Sequence, residues 1–259
     1  MNYKLITSRK NKLITEAASL ADTAGRRKAG MFLAEGARLC ADAAGSGLEI
    51  SALFYTEKAA SRYGEYLEKL RASSKDIYII EEHVAEKLSE TKNTQGVFCR
   101  IRIPRLPEKE LDGKTVVLED MQDPANLGAV IRTAEALGID DIVLLGRQQD
   151  VYSPKVLRAS MGSVFRMPVR LFPERRALFD ALKAAGSRCY AAALDETAAI
   201  LGSFKFPGKA AVFIGNEGSG LAKETVLGCG EMVMIPMKGR AESLNAGASA
   251  AILMWEMVR

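Results

Sequence analysis

Three segments in the second half of the sequence combine polar side chains with glycine or proline, and each directly follows an apolar run. The first, residues 118–134, contains a proline turn followed by apolar residues at helical spacing. Asn126 is placed to cap this helix, and the spacing leaves Arg132 on the solvent side. Arg132 either pairs with Glu135, three residues later, or is available to a ligand.

The second segment is the glycine-rich stretch 213–221. Its three glycines, Gly215, Gly218 and Gly220, permit a tight left-handed backbone that can approach a ligand closely. The spacing differs from the GxGxxG pattern of dinucleotide-binding proteins, which disfavours a dinucleotide-dependent oxidoreductase, and it also differs from the GxxxxGK[ST] pattern of phosphate loops. A carboxylate such as Glu217 in this kind of turn commonly stabilises the start of the next helix, although it could also serve catalysis.

The third segment, residues 235–255, passes from a strand through a glycine turn into a final helix. Ser243 is expected to cap this helix. The residues expected to face inward are Ala248, Ala251, Ile252 and Trp255. Core packing accounts for the small residues of the helix but not for its polar start, Ser243-Leu244-Asn245.

Five apolar runs alternate with helical patterns in this half of the chain and indicate a parallel sheet covered by helices on both faces. The predicted strands are residues 116–118, 142–145, 189–192, 211–214 and 232–235. Ligands of such sheets bind at the carboxyl ends of the strands, where all three segments lie.

The first half of the sequence predicts a smaller α/β unit that begins with a helix over Asn11–Ala24. Its predicted strands are residues 32–34, 52–55, 77–80 and 96–99, and its later helices are 37–44, 57–72 and 82–88. Pro104 and Pro107 interrupt the alternation and mark a linker over 104–113. Two domains are therefore expected, residues 1–103 and 114–259.

The composition is that of a globular protein, with 48% hydrophobic and 26% charged residues, and no apolar run reaches the ~20 residues that span a bilayer. The N-terminus is too polar for a signal peptide, and four scattered cysteines with one histidine argue against a zinc site or a disulfide framework. A cytoplasmic protein with reduced thiols is expected. The first 30 residues hold seven bases and two acids, which indicates either a solvated helix or contact with a polyanion.

Taken together, the three segments resemble the three signature motifs of the SpoU (TrmH-like) branch of the SPOUT RNA methyltransferases, in order and in position after a strand. Residues 153–163 also resemble that family. The N-terminal half resembles the small ribosomal-protein-like RNA-binding domain often attached to it, through Phe32–Gly36 and Gln95–Val97, although Thr94 stands where relatives often have proline.

The resemblance implies a Rossmann-like α/β domain with a deep trefoil knot that binds S-adenosylmethionine and works as a homodimer, with its sites near the subunit interface. The implied cofactor-binding residues are Leu194, Gly215, Asn216, Ile235, Met237, Ser243, Leu244 and Asn245. The implied catalytic residues are Asn126, Arg132, Glu217, Ser243 and Asn245. Ala246 and Gly247 depart from relatives, which often carry a bulkier residue and a serine at these positions.

The implied reaction is methylation of a ribose 2′-hydroxyl in structured RNA. The sulfonium of the cofactor is already a strong electrophile, so no metal is needed, and the protein must hold the methyl group and the ribose oxygen in line. In this family the arginine at Arg132 is often assigned as the general base. Because a guanidinium resists deprotonation, we favour a bidentate clamp on an RNA phosphate, with Asn126 helping to place the nucleotide.

The ribose hydroxyl predicts selectivity for RNA over DNA. The residues expected to contact RNA are Arg9, Lys10, Asn11, Lys12 and Arg132. Ribosomal RNA is the favoured substrate because of the attached N-terminal domain, and transfer RNA is the alternative. A non-catalytic RNA-binding protein of the same fold is a further alternative, whereas a Rossmann-type methyltransferase is disfavoured because the glycine-rich turn lies late in the chain.

Overall fold

The computed structural model describes residues 4–105, 110–146, 150–240 and 243–259. These residues form two compact units: the first comprises 4–105 and 152–165, and the second comprises the other described residues. The units divide within the predicted linker, of which residues 106–109 lie outside the described part of the chain. Residues 152–165, which the sequence places in the second half, belong to the first unit.

The first unit contains a five-stranded mixed sheet. Its strands are β1 (Lys4–Ile6), β2 (Met31–Glu35), β3 (Ile50–Tyr55), β4 (Ser74–Ile80) and β5 (Val97–Arg102). They lie in the order β1-β4-β3-β5-β2, with β5 antiparallel to both of its neighbours. All six residues of the central strand β3 are buried. The sequence did not predict β1, because it is a short edge strand in which only Ile6 is buried.

The helices of residues 4–105 differ from the prediction at two places. They are α1 (Lys12–Ala18), α2 (Thr23–Ala29), α3 (Ala37–Gly45), α4 (Glu57–Arg62), α5 (Gly64–Ser73) and α6 (Glu82–Leu88). The single helix predicted over Asn11–Ala24 is wrong, because a 3₁₀ turn at Ser19–Ala21 separates α1 from α2. The helix predicted over 57–72 is likewise divided, at Tyr63, where the backbone leaves the helical region.

The fold-back between α1 and α2 depends on two residues. The backbone of Gly25 lies against the carbonyl of Ser19, where a Cβ atom would stand 1.9 Å from the oxygen. The guanidinium of Arg26 is buried and donates hydrogen bonds to the carbonyl oxygens of Leu20 and Ala21, at 2.6 and 2.7 Å. Arg26 therefore caps the 3₁₀ turn and contributes nothing to a basic surface.

The second unit contains a seven-stranded sheet in which every strand pair is parallel. Its strands are β6 (Lys114–Glu119), β7 (Asp141–Leu145), β8 (Val169–Phe172), β9 (Arg188–Ala192), β10 (Ala199–Ile200), β11 (Ala210–Ile214) and β12 (Glu231–Met234). The order is β10-β12-β9-β11-β6-β7-β8. This confirms the predicted parallel sheet, while β8 and β10 were missed because they are short and mostly unburied.

The remaining helices are α7 (Pro124–Leu137), α8 (Pro154–Ser160), α9 (Arg175–Ala184), α10 (Lys223–Cys229) and α11 (Ala246–Val258), of which α8 belongs to the first unit. Asn126 does not cap α7: Asp123 accepts from Ala125 N, since Pro124 occupies the first helical position. Ser243 does not cap α11 either, because Asn245 accepts from the first free N–H groups of the helix.

The buried face of α11 is also different from the predicted one. The residues that face the core are Ala246, Ala250, Leu253, Met254 and Met257. Ala248 is exposed, Ala251 is half-buried, and the side chains of Ile252 and Trp255 are 40% and 57% exposed. The helix is apolar on all sides, so its periodicity could not select the buried face.

Among the described residues, no helix combines the length and the apolar character that crossing a bilayer requires.

Candidate active site

A cavity of about 510 Å³ opens at the carboxyl ends of β9, β11 and β12 in the second unit. Its walls are the residues that follow these strands and the start of α11. The volume lies within the ~300–1,000 Å³ range of small-molecule sites. All of the predicted cofactor-binding residues line it, namely Leu194, Gly215, Asn216, Ile235, Met237, Ser243, Leu244 and Asn245.

The glycine-rich loop after β11 closes on itself. Asn216 and Gly220 exchange two backbone hydrogen bonds, at 3.1 and 3.0 Å, and the Asn216 side chain accepts from Gly218 N at 2.8 Å. The Asn216 amide nitrogen donates to the carbonyl oxygen of Asp120 at 2.8 Å, which attaches the loop to the end of β6. Gly215 is required for this closure, because a Cβ there would lie 2.2 Å from the carbonyl carbon of Gly220.

Three polar residues from the three sequence segments form a hydrogen-bonded chain, which we call the asparagine chain. Asn245 Nδ2 donates to Asn126 Oδ1 at 3.1 Å, and Asn126 Nδ2 donates to Glu217 Oε1 at 3.0 Å. Asn245 and Glu217 line the cavity, and Asn126 joins them from α7. The chain therefore fixes the start of α11 and the glycine-rich loop relative to α7.

Glu217 is a carboxylate with a lowered pKa. Partial burial raises the pKa of its carboxyl, but the hydrogen bond from Asn126 and backbone N–H groups, including those of Gln122 and Asp123, lower it by more. The carboxylate is therefore ionised at neutral pH and is a weaker proton acceptor than a free glutamate. This favours a role in orienting Asn126 over a role as a general base.

A second polar group, not recognised from the sequence, supports the far end of the same loop. Glu119, the last residue of β6, is 3% exposed and accepts from Arg175 Nη2 at 2.8 Å, Thr225 Oγ1 at 2.7 Å and Ala222 N at 3.1 Å. Arg175 Nε also donates to Thr225 Oγ1, at 2.6 Å. We call Glu119, Arg175 and Thr225 the Glu119 cluster. The only sequence signal is Glu119 itself, a carboxylate directly after the apolar run 116–118, and it does not identify the partners.

Arg132 and Ser243 have free side chains. Arg132 is exposed on α7, does not belong to the described lining of the cavity, and makes no hydrogen bond or ion pair to another described residue. The alternative pairing with Glu135 does not occur, because Glu135 Oε1 binds Arg166 Nε at 2.8 Å. Ser243 lines the cavity, is exposed, and likewise makes no hydrogen bond within the described chain.

The predicted RNA contacts near the N-terminus lie in the first unit and are partly engaged. Arg9 binds Glu86 at 2.6 Å and the carbonyl oxygen of His83. Asn11 caps α1, and Lys12 is 4.0 Å from Glu16. The ammonium of Lys10 is exposed and has no partner among the described residues.

The cavity fits the S-adenosylmethionine that the resemblance implies. Leu194 is 65% exposed and Leu244 is 36% exposed, and both lie at the cavity, where an apolar ring would cover them. The loop after β11 supplies backbone groups without side chains at Gly215, Gly218 and Gly220. An apolar wall with a few convergent polar groups is typical of cofactor sites.

Comparison with known sequences gives two family matches. Residues 113–255 match the SpoU rRNA Methylase family, and residues 11–99 match the MRM3-like substrate binding domain. The chain is 31% identical to 23S rRNA (guanosine(2553)-2'-O)-methyltransferase RlmP of Bacillus subtilis, over 98% of this chain and 99% of that protein. It is also 31% identical to 23S rRNA (uridine(2479)-2'-O)-methyltransferase of Streptomyces viridochromogenes, over 98% and 91%.

Solved structures are similar over nearly the whole chain. An rRNA methyltransferase from Sinorhizobium meliloti with bound AdoMet superposes with a TM-score of 0.86 and 29% identity, covering 98% of this chain and 97% of that one. The SpoU methyltransferase AviRb from Streptomyces viridochromogenes, in complex with AdoMet, superposes with a TM-score of 0.84 and 27% identity, covering 96% and 97%.

Proposed function

The chain belongs to the SpoU rRNA Methylase family and is an RNA methyltransferase that uses S-adenosylmethionine to methylate a ribose 2′-hydroxyl; we propose that its substrate is ribosomal RNA and that the cavity at the start of α11 holds the cofactor. One observation carries the assignment of the site. Two of the three segments, 213–221 and 235–255, line a single cavity, and the asparagine chain joins the first segment to both of them through Asn126.

Within this site the protein acts by positioning. When bound, S-adenosylmethionine supplies the electrophilic methyl group. Leu194, Ile235 and Leu244 would pack on its apolar part, and the backbone after β11 would hydrogen-bond its polar groups. Asn126 and Ser243 would bind the target nucleotide, while Glu217 and Asn245 hold Asn126 in place.

Arg132 would act on the RNA rather than on the cofactor. Its guanidinium has no partner among the described residues and is therefore available for two parallel hydrogen bonds to a phosphate. This would fix the ribose next to the cavity and stabilise negative charge on its oxygen. Replacement by lysine keeps the charge but loses the pair of parallel hydrogen bonds. Arg132→Lys is therefore expected to lower the single-turnover rate at saturating RNA strongly. A rate close to that of the wild type would refute the clamp.

We also infer a homodimer formed through α7 and α11. The outward face of α11 exposes Ile252 and Trp255, and Gly247 at the start of α11 lies beside Ala129, one turn before Arg132 on α7. A second copy of the chain on this face would cover the apolar side chains and bring Arg132 to the subunit interface. Trp255→Glu is expected to produce a monomer in sedimentation, whereas Leu227→Glu, at an exposed position on α10, is not.

The remaining parts of the proposal concern the whole chain. We infer that residues 1–103 form an RNA-binding domain, that 104–113 are a linker, and that 114–259, with the exception of 152–165, form the methyltransferase domain with its C-terminal part threaded as a trefoil knot. The family matches over 11–99 and 113–255 support the two domains. A cytoplasmic location is proposed because relatives of this chain are named as modifying 23S rRNA.

The test is methyl transfer to defined RNA. The purified protein is incubated with tritiated S-adenosylmethionine and either an unmodified 23S rRNA transcript or unmodified transfer RNA, and the product is mapped by resistance to alkaline cleavage. Label at one 2′-O-methyl position of the 23S transcript is expected. Label only in transfer RNA would replace the proposed substrate, and cofactor binding without transfer to either RNA would favour a non-catalytic RNA-binding protein.

A further inference from the structure

A second cavity, of about 420 Å³, lies within the first unit. It is bounded by the turn between β2 and α3, by the loop that precedes β5, and by the end of α8. These are the motif segments Phe32–Gly36, Gln95–Val97 and 153–163, which the methyl-transfer chemistry does not use. The sequence features that distinguish the first unit thus meet at one concave site.

The floor of this cavity is apolar. Leu39, Leu157 and Met161 line it, and the Met161 side chain is 49% exposed. Met161 also has a φ of +51°, in the left-handed region that side chains other than asparagine and aspartate rarely adopt. This conformation is the left-handed C-cap of α8, and it leaves the Met161 side chain at the cavity, where a ligand would cover it.

Two amide side chains at the cavity have unused hydrogen-bonding groups. Gln95 Oε1 accepts from Ala37 N at 3.0 Å, which fixes the amide, while its Nε2 has no partner among the described residues. Asn93 is exposed and makes no hydrogen bond within the described chain. The cavity therefore presents donors and an acceptor that a planar polar ligand could pair with.

The charges at the cavity leave the two arginines free. Glu35 accepts from Ser89 Oγ at 2.6 Å and from Thr91 Oγ1 at 2.9 Å, so its carboxylate is engaged within the unit. Arg38 and Arg158 are exposed and have neither an ion pair nor a hydrogen bond to any described residue. Asp42 also lines the cavity and could accept from an amino group of a ligand.

We propose that this cavity binds one unstacked nucleotide of the substrate RNA, with its base on Met161 and Leu157, its edge against Gln95 and Asn93, and its phosphates on Arg38 and Arg158. Proteins recognise RNA sequence mainly on splayed single-stranded bases, and arginine is suited to phosphate. The cavity volume is within the range of small-ligand sites. The proposal rests on the proposed RNA substrate. It adds a second site, in the first unit, that recognises a nucleotide of the RNA other than the methylated one.

The test uses the full-length protein and the 23S rRNA transcript, with variants at exposed positions that should not disturb folding. Met161→Ala and Asn93→Leu remove contacts to the base without changing charge, and each is expected to raise the KM for RNA by about three- to tenfold. Arg38→Ala should also raise it and should reduce the slope of log affinity against log salt by about 1. The turnover number and the Kd for S-adenosylmethionine should stay unchanged in all three variants.

Matched controls in the second unit separate this site from general effects. Leu227→Ala removes an apolar side chain that is even more exposed than Met161, and Arg176→Ala removes an exposed guanidinium; both should leave the KM for RNA unchanged. If Arg38→Ala raised the KM for RNA but Met161→Ala and Asn93→Leu left it unchanged, insertion of a base would be refuted. Unchanged KM values in all three cavity variants would overturn the whole proposal.

The same experiment distinguishes its failure from that of the proposed function. Wild-type protein that methylates the transcript, together with variants that keep the wild-type KM, overturns the cavity proposal alone. Wild-type protein that methylates neither 23S rRNA nor transfer RNA overturns the proposed substrate and the cavity proposal with it.

Discussion

The glycine-rich loop after β11 is held at both ends by polar groups, and the two attachments differ in every physical respect. In the Glu119 cluster Thr225 and Glu119 are buried, the Glu119 side chain being 4% exposed, and Glu119 forms an ion pair with the partly buried Arg175. In the asparagine chain Glu217 and Asn245 are exposed and Asn126 is half-buried, and two amide hydrogen bonds, at 3.0 and 3.1 Å, connect the three residues. Both attachments nevertheless hold the glycine-rich loop, which forms one wall of the cavity at the start of α11.

Because of this difference, we expect the two attachments to contribute differently to stability and to catalysis. A buried charge must keep all its partners, because each lost partner leaves a desolvated group uncompensated. An exposed amide can exchange its partner for water or substrate at little cost, since water satisfies it in the meantime. We therefore expect changes in the Glu119 cluster to affect folding first, and changes in the asparagine chain to affect methyl transfer first.

The largest expected effect is the loss of Glu119. Glu119→Ala leaves Arg175 and Thr225 without their acceptor and should lower the free energy of unfolding by about 3 kcal/mol, at the low end for buried pairs because a third of the Arg175 side chain is exposed. Urea unfolding measures this. As a control, Glu231→Ala breaks an ion pair with Arg188 that is exposed on both sides, and should cost less than about 1 kcal/mol. Equal losses of unfolding free energy in Glu119→Ala and Glu231→Ala would contradict the expectation that the buried cluster contributes more to stability than an exposed ion pair.

The second-largest expected effect is the loss of methyl-transfer rate when the asparagine chain is broken. Asn126→Ala removes both amide hydrogen bonds and is expected to reduce the single-turnover rate by about tenfold to a hundredfold, which corresponds to roughly 1.4–2.7 kcal/mol of barrier. Its free energy of unfolding should change by less than about 1 kcal/mol, because Asn126 is only half-buried and its two exposed partners can bind water instead. Thr133→Ala on the same helix serves as the control and should keep its rate. A destabilised but fully active Asn126→Ala enzyme would reverse the assignment.

Two buried threonines sharpen the comparison within the second unit. Thr225 donates to Glu119 and accepts from Arg175, so Thr225→Val should destabilise the protein by about 1–3 kcal/mol. Thr115 on β6 is equally buried, but its hydroxyl has no partner within the described chain. Thr115→Val should therefore be neutral or stabilising, and thermal unfolding of the pair would test this. A similar loss of stability in Thr225→Val and Thr115→Val would show that the burial of the threonine, and not its hydrogen bonds in the cluster, determines the effect of the substitution.

The smallest expected effect is the pH dependence of Glu217. Because its pKa is lowered in the folded protein, the carboxylate contributes stability above the unfolded value of about 4.3, and that contribution disappears as the pH falls through the folded pKa. The difference in free energy of unfolding between wild type and Glu217→Gln should be constant above about pH 5 and should shrink below it. A difference that grew on acidification would mean that the pKa is raised.

The sequence predicted the parallel sheet and the residues around the cavity for different reasons. Continuous apolar runs with short turns identified the buried strands of the second unit, since only a sheet covered on both faces has them. Motif resemblance selected the cavity residues. The caps of α7 and α11 were misassigned, because several polar residues stand near each start and only Pro124 distinguishes Asp123 from Asn126.

The Glu119 cluster could not be predicted. Glu119 is 56 residues from Arg175 and 106 from Thr225, and nothing in the local sequence connects them. The exposed face of α11 escaped prediction for another reason: its apolar residues surround the whole helix, so that only the packing against the rest of the second unit determines which ones are buried.

The position of the cavity residues along the chain has a consequence for biosynthesis. The described residues that line the cavity at the start of α11 lie between 192 and 253, whereas the five-stranded sheet of the first unit is complete at Arg102. Domains fold as units, N-terminal first, during translation. The nascent chain can therefore assemble its first sheet long before it can form this cavity, and a chain that ends before α11 lacks one of the cavity's walls.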